Sequence, residues 1–407
     1  MFLRKKTYPN SGSLNKLAWM RFCRNRLAFS SFAFIVFVTM IAIAGYWVTP
    51  DKTPMVNEQN LLLATLKPGT AVQVLKVYKN QDIPRRNIIY RLLYGQENRY
   101  QDYAFRNMRF SADTVIITEY SKDASGLELK FHLADVAYPL QNDNQILKQG
   151  NQLHLVTREG KIVNISIVAL RELVKQHNIA TKTFWLGTDR YGRDVLSQLI
   201  IGTRISLSVG FISVAISLLI GIFLGAIAGY FGGAVDAFIS WFINVIWAIP
   251  TLLLVIAITF ALGKGFWQVF VAVGLTMWVE VARVVRGQFM SLREKEFTEA
   301  ARALGYRDFR IIFRHLLPNA MAPVIVISAA NFASAILLEA GLSFLGIGVQ
   351  PPMPSWGSMI KENYPYIILD YAYLAILPGI AIMIMVLAFM LMGNGLRDAM
   401  DVRSTDP

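Results

Sequence analysis

The chain has 407 residues, 54% of them hydrophobic and 16% charged, with a formal net charge of +13 at pH 7. So apolar a composition excludes an ordinary soluble protein. The basic balance matches the positive-inside bias of membrane proteins, and no nucleic-acid motif accompanies it. Several apolar runs approach or exceed the ~20 helical residues that span the roughly 30 Å hydrocarbon layer, which predicts a polytopic helical membrane protein. Cys23, the only cysteine, cannot form an internal disulfide. His132, His154, His177 and His315 are too scattered to suggest a metal site.

Residues 1–26 carry Arg4, Lys5, Lys6, Lys16, Arg21, Arg24 and Arg26 and no acid. The uncharged run Leu27–Val48 follows and ends in the interfacial pair Tyr46-Trp47. A signal peptide is the alternative, but the run is too long for its apolar region and no small-x-small cleavage site follows. The reading is a basic cytoplasmic N-terminus, 1–26, and a retained first span, 27–49. Residues 50–185 turn polar, with strand-like runs Ala71–Val77, Thr114–Glu119, Leu127–Leu133 and Lys161–Ile167. Turns are expected at Lys67-Pro68-Gly69-Thr70 and Arg158-Glu159-Gly160-Lys161, and a helix over Ile167–His177. This predicts a mixed α/β extracytoplasmic insertion between spans 1 and 2. It is either solvent-facing decoration or a docking platform or lid.

The stretch Leu186–Ser197 has the glycine spacing of a phosphate-binding loop in Gly187 and Gly192. Arg193 and Asp194 stand where that loop needs Lys and Ser/Thr, and an acid there would repel phosphate. Span two is expected over Ile205–Tyr230. Its Gly221, Gly225 and Gly229 recur every four residues on one face, where another helix can approach closely. After a turn at Gly232-Gly233 and Asp236, span three, Ala237–Leu262, contains Pro250, which predicts a kink. Leu262-Gly263-Lys264-Gly265 is a short external turn. Span four, Phe266–Val285, carries Glu280 and Arg283 three residues apart, an expected local ion pair, and Arg286 follows it.

The charged stretch from Glu294 to Pro323 is patterned as two short helices at a Gly305 corner. Phe309, Ile312, Phe313 and Leu316 are expected near one face of the second, which should end or bend at Pro318. Span five begins after Pro323 and carries Asn331, Ser334 and Glu339, candidates for a translocation path. Glu339 should face a pore or pair with a group on another helix. A Pro-, Trp- and Tyr-rich loop, Gln350–Tyr373, precedes span six, Tyr373–Leu396, which contains Pro378. Six spans put both termini and the Glu294–Pro318 loop in the cytoplasm. The sequence has no internal repeat and no low-complexity tract.

Three motifs carry a family resemblance. Glu299-Ala300-Ala301, three residues, Gly305, eleven residues, Leu317-Pro318 resembles the EAA loop of ABC importer permeases. His315 departs from the apolar residue usual there, a departure that the peptide-permease branch tolerates. The stretch from Gly187 through Ser197 to Gly202-Thr203-Arg204-Ile205-Ser206 resembles the signature of dipeptide, oligopeptide and nickel permeases. So does Glu339–Gly346 with Gln350-Pro351-Pro352 and Pro354-Ser355-Trp356-Gly357. The resemblance is close over 186–400 and loose over 1–49, and it says nothing about the role of the insertion.

The resemblance implies a type I ABC importer permease fold, with a permease core over 186–400, an EAA coupling loop over 291–320 and a cytoplasmic tail, 401–407. It implies a multi-pass permease subunit in the inner or plasma membrane and no enzymatic activity in this chain. ATP and Mg would sit on a separate ATPase, with no cofactor or metal on this chain. Glu299, Ala300, Ala301, Gly305, Leu317 and Pro318 would meet the ATPase. The other implied partners are a second, different permease subunit and an extracytoplasmic solute-binding protein, in a lipid bilayer and without nucleic acid. Dipeptides, longer peptides, nickel chelates and other small solutes share the signature, and the direction of transport comes from the resemblance alone. Two other readings stand beside it. A membrane hydrolase would need facing carboxylates or a nucleophile–base pair, whereas Glu280 and Glu339 are expected near opposite membrane faces, and no Gly-x-Ser-x-Gly or His-Glu-x-x-His occurs. A membrane sensor or scaffold would act through residues 50–185.

Overall fold

The computed structural model describes residues 14–84, 86–121, 126–140, 146–263 and 265–400. Arg4, Lys5 and Lys6 of the basic N-terminus, Lys264 of the expected external turn and the tail 401–407 lie outside the described residues. The chain divides into two compact units. One is Ile43–Ile201 with Pro365–Leu374, and the other contains the described parts of 1–42, 202–364 and 375–407.

The chain begins with α1, Leu14–Arg24, and α2, Arg26–Ile43. The Asn25 carboxamide accepts from the Ala28 amide at 3.2 Å and starts α2. Ala28, Ser31, Ile35 and Ala42 form its buried stripe, while Phe37 and Met40 are exposed. A helix with so narrow a buried face suits a hydrocarbon surround.

The first unit is α/β. After the short helix α3, Gly45–Val48, come β1, Thr70–Tyr78, α4, Ile88–Tyr94, β2, Tyr100–Ser111, β3, Thr114–Glu119, and β4, Glu128–His132. Then follow α5, Leu133–Ala137, β5, Leu147–Gln149, β6, Gln152–Val156, β7, Ile162–Ser166, α6, Ile167–Leu173, and β8, Ile179–Phe184. A five-stranded antiparallel sheet has the order β4-β3-β2-β1-β8, and a three-stranded sheet the order β5-β6-β7. β1 lies inside the larger sheet, with Val74 opposite Ala104 of β2 and Ala180 of β8. Alternation sends its Val72 and Val74 into one apolar cluster and Leu75 and Val77 into another, so both sheet faces are covered. Buried Asn178 donates to the Lys76 and Val136 carbonyls at 2.8 and 2.7 Å and closes the turn before β8.

The remaining helices are α7, Val195–Phe231, α8, Gly233–Trp247, α9, Thr251–Leu262, α10, Phe266–Arg293, α11, Glu296–Ala303, and α12, Asp308–Ile311. They continue with α13, Leu317–Phe344, α14, Trp356–Asn363, and α15, Tyr373–Met400. Among the described residues, five helical stretches are long and apolar enough to cross a membrane, and the α8–α9 pair makes a sixth if it is one span. That pair bends by 92°, more than a kink. Pro250 lacks an amide proton and takes an extended ψ of 123° just before α9, so the helix stops and restarts.

Pro318 has the opposite outcome. The helix runs unbroken from Asp308 to Phe344, through both Pro318 and Pro323. A π turn, Ile312–Leu316, precedes Pro318, and the Leu317 amide donates five residues back, to the Ile312 carbonyl. This wider turn changes the carbonyl register before the proline, and the Asn319 side chain caps the His315 carbonyl at 2.6 Å. The expected second short helix is therefore the first part of span five.

The glycine stripe of α7 packs on α10. A Cβ at Gly225 would stand 2.5 Å from the Ala282 carbonyl oxygen, and one at Gly229 2.6 Å from that of Arg286. Only glycine permits this approach.

Candidate functional site

The corner between α10 and α13 is built by local sequence. Glu296 and Glu299 occupy the first turn of α11, where carboxylates complement the positive end of the helix. At its other end the Gly305 amide donates to the Arg302 carbonyl and the Tyr306 amide to the Ala301 carbonyl. This pair of bonds is a Schellman cap, and Gly305 adopts the positive φ of 75° that the cap requires. Buried Thr298 donates to the Leu292 carbonyl at 2.8 Å, tying α11 to the end of α10.

Ala301, Ile311, Ile312 and Leu316 pack on Ala226 and Tyr230 of α7 and on Val281, Val285 and Phe289 of α10. The Tyr230 hydroxyl donates to Asp308 at 2.5 Å, and Arg293 donates to the Tyr230 carbonyl at 3.2 Å. The four apolar residues expected on one face divide between two. Ile312 and Leu316 are buried, whereas Phe309 and Phe313 point outward and pair at 4.4 Å between ring centroids. The helix here carries two apolar faces, one inward and one open.

On the open side stand Phe297, Leu304, which is 71% exposed, and Phe309, 72% exposed, beside exposed Glu299, Ala300 and Gly305. Pro318 is also exposed, Leu317 half-buried and Ala301 buried in the corner's own core. The result is an apolar surface edged by exposed charges of both signs, Glu296 and Glu299 beside Arg302, Arg307 and Arg310, on a packed corner.

A cavity of about 330 Å³ lies elsewhere in the helical unit, lined by Trp247, Thr251, Thr276, Met277, Glu280, Ser334 and Leu337, among others. Of the candidate path residues, Ser334 lines it. Asn331 is buried at 1% exposure, and Glu339 is fully buried. Glu339 accepts from Ser343 at 2.7 Å and from Ser206 of α7 at 3.3 Å. Ser343 in turn accepts from the Val349 amide and the Ser355 hydroxyl. The carboxylate thus joins α7, α13 and the loop before α14, where Ser355 and Ser358 form a reciprocal helix cap.

The expected Glu280–Arg283 pair does not form. Arg283 stacks over Trp247 at 3.9 Å and donates to Asn244 at 2.9 Å, both on α8. Glu280 is left facing the cavity. Arg286 forms a two-point ion pair with Asp236, at 2.5 and 2.8 Å. These partners lie about 40 to 50 residues away, beyond any reading of local spacing.

The phosphate-loop look-alike folds as a tight turn in the α/β unit, tied to residues 60–66: the Asn60 and Thr65 amides donate to the Tyr191 and Asp189 carbonyls, and the Leu66 amide donates to the Thr188 hydroxyl. Asp189 accepts from the Tyr191 and Arg193 amides, the Arg193 guanidinium and Gln198. Its donors are internal, which leaves no cradle of free amides for a phosphate.

A family profile described as binding-protein-dependent transport system inner membrane component matches residues 221–405. A second, described as the N-terminal TM domain of oligopeptide transport permease C, matches residues 13–68. The chain is 43% identical to a dipeptide transport system permease protein of Alkalihalophilus pseudofirmus, over 53% of this chain and 71% of that protein. It is 42% identical to a glutathione transport system permease protein of Pectobacterium atrosepticum, over 53% and 72%. An oligopeptide transport system permease protein of Bacillus subtilis is 38% identical, over 54% and 72%.

Proposed function

The chain belongs to the binding-protein-dependent transport system inner membrane components, the permease subunits of ABC importers, which are not enzymes, and we propose that its cargo is a peptide. The relatives are named for dipeptide, glutathione and oligopeptide transport, and all three cargoes share peptide chemistry. Family membership implies ATPase and substrate-binding partners. The permease partner in our reading is a second, different subunit, and the two chains together enclose the path. Both termini and the Gly305 corner face the cytoplasm, and the α/β insertion lies outside. ATP and Mg belong to the ATPase.

The observation that carries the coupling role is the open apolar face of Phe297, Leu304 and Phe309 beside Glu299, held on a corner whose other face is packed. Such a surface suits docking into a groove of a partner. Glu299 and Ala300 lie in that contact, Gly305 sets its angle, and Ala301, Leu317 and Pro318 hold the corner against the bundle. Closure of the ATPase pair on ATP moves the corner, and the helix bundle rocks about the cavity lined by Ser334. Glu339 and Asn331 support that path from behind.

Affinity purification of the tagged chain from its own membranes, with mass spectrometry of what accompanies it, tests this reading. Recovery of a related permease and one or two ATPase subunits is the expected result. Recovery without an ATPase, even after cross-linking through residues 294–318, removes the coupling role.

A further inference from the structure

Helix α4 of the insertion reads IIYRLLY, and Arg91 is its only charged residue. A helix apolar on every side belongs in a protein core or in lipid. Yet none of its residues is buried. Ile88 is 66% exposed, Ile89 73% and Tyr94 59%. The Tyr90 and Tyr94 rings lie 5.0 Å apart, and the Arg86 guanidinium lies over Tyr90 at 5.2 Å.

The place of α4 in the chain says what covers it. Its last turn rests on α3. A Cβ at Gly95, the cap of α4, would stand 2.9 Å from the Tyr46 ring and 2.8 Å from the Lys52 carbonyl oxygen. The Gln96 amide donates to that carbonyl at 2.9 Å, and Tyr46 is buried. Helix α3 in turn follows α2 after Ala44 alone. The 18 residues of α2 rise ~27 Å, close to the roughly 30 Å of hydrocarbon. So α3 begins where the hydrocarbon ends. Helix α4 is only ~10 Å long, and no part of it lies far from that boundary. Trp47 and Val48 of α3 are exposed there as well. Tyr90, Tyr94 and Trp47 carry the amphipathic rings that the headgroup region favours. Arg86 and Arg91, both exposed, have stems long enough to cover apolar surface while their guanidinium groups reach phosphates.

We propose that α4 lies in the interface of the leaflet where α2 ends, with Ile88, Ile89 and Tyr94 against lipid acyl chains. The occupant of this face is the bilayer itself. The insertion is then fastened to the membrane by its own side chains as well as by the spans that it joins. The proposal needs α2 to cross the membrane, and it stands apart from the reading of the cargo.

The test uses the assembled transporter in nanodiscs of phosphatidylcholine and phosphatidylglycerol. An environment-sensitive fluorophore is attached at Ile89→Cys in a Cys23→Ser background. Phospholipid with a nitroxide just below the headgroup is the quencher. The control carries the fluorophore at Lys161→Cys, an exposed, charged position of the insertion. Quenching at position 89 should exceed that at 161 at least about threefold, as for an interfacial helix. Equal quenching would overturn the proposal. So would quenching at 89 that appears in the lone chain and vanishes in the assembled transporter, because a partner subunit then covers the face. A phospholipid with a diazirine high on its acyl chain should label residues 86–94 of the unaltered protein, which locates the contact even if the variants fail to fold. Labelling confined to the membrane-spanning helices would overturn the proposal.

Discussion

Tyr230 and Asp308 meet at 2.5 Å, hydroxyl to carboxylate, and their bond joins the end of α7 to the start of the corner's second helix. Tyr230→Phe keeps the ring in its cluster and removes only the donor. The variant should lose about 1 kcal/mol of stability, as for a partly exposed hydrogen bond. The assembled transporter that carries it should still hydrolyse ATP, with reduced peptide uptake. Thermal unfolding and paired hydrolysis and uptake assays check this, and unchanged coupling would remove the bond from the mechanism.

Gly305 has a φ of 75° and no atom within 4 Å of where a Cβ would lie. Substitution therefore acts through the backbone alone. A left-handed conformation costs an L-residue roughly 1–2 kcal/mol, and Asn tolerates it best. Gly305→Val should insert normally and abolish uptake, while Gly305→Asn retains most of it. Equal behaviour of the two variants, measured by uptake against membrane content, would contradict the assigned cap.

Two similar changes, one in the α7–α10 contact and one outside it, should have opposite signs. Gly225→Ala places a methyl 2.5 Å from the Ala282 carbonyl and should cost about 1–3 kcal/mol through overpacking. Gly341→Ala, within α13 and with nothing within 4 Å, should stabilise by about 0.5–1 kcal/mol through helix propensity. Thermal unfolding in one detergent compares them directly.

Glu339 gathers two serine donors in a fully buried position. Glu339→Ala leaves those hydroxyls without their acceptor and should destabilise by about 1–3 kcal/mol. Glu339→Gln keeps an acceptor oxygen and should lie nearer the parent. If both variants match the parent in thermal stability, the network is not structural.

Asp51 and Asp194 are raised above 3.8, first by burial. A raised folded pKa means that the folded state binds the proton more tightly. The stabilising effect is full below 3.8 and is lost as pH rises through the folded values. These two groups should make the insertion more stable in mild acid than at neutrality. Asp194→Asn should flatten that slope, measured by thermal unfolding of the full chain against pH.

Much of this architecture was legible because lipid imposes long apolar runs and the corner announces itself by charge. Gly305 and the stripe Gly221, Gly225 and Gly229 could be read since glycine spacing reports geometry directly. The continuation of the helix past Pro318 is not legible, because the π turn before it is set by register, for which no residue type stands. Pro250 was under-read, since a proline shows that a helix is disturbed without showing by how much. β2 escaped notice because Arg106, Asn107 and Arg109 break its apolar alternation. The partners of Arg283 and Arg286 sit on α8, and only the fold brings them within reach. Glu280, read as half of a local pair, became a cavity residue for the same reason.

The unbroken helix from Asp308 to Phe344 has one further consequence. Its 37 residues make a rod of ~55 Å at the usual helical rise. Phe309, on the open surface, and Glu339, deep among the serines, ride on the same rod. In the coupling role proposed for the corner, a push on Phe309 would reach Glu339 along one helix, through the π turn and the two prolines. The π turn sets the angular offset between the two ends, so deleting one residue from 312–316 would turn the pushed face by ~100° relative to the buried one. In mechanical terms, that role would make the corner a crank handle and the Glu339 serine cluster the bearing of its shaft.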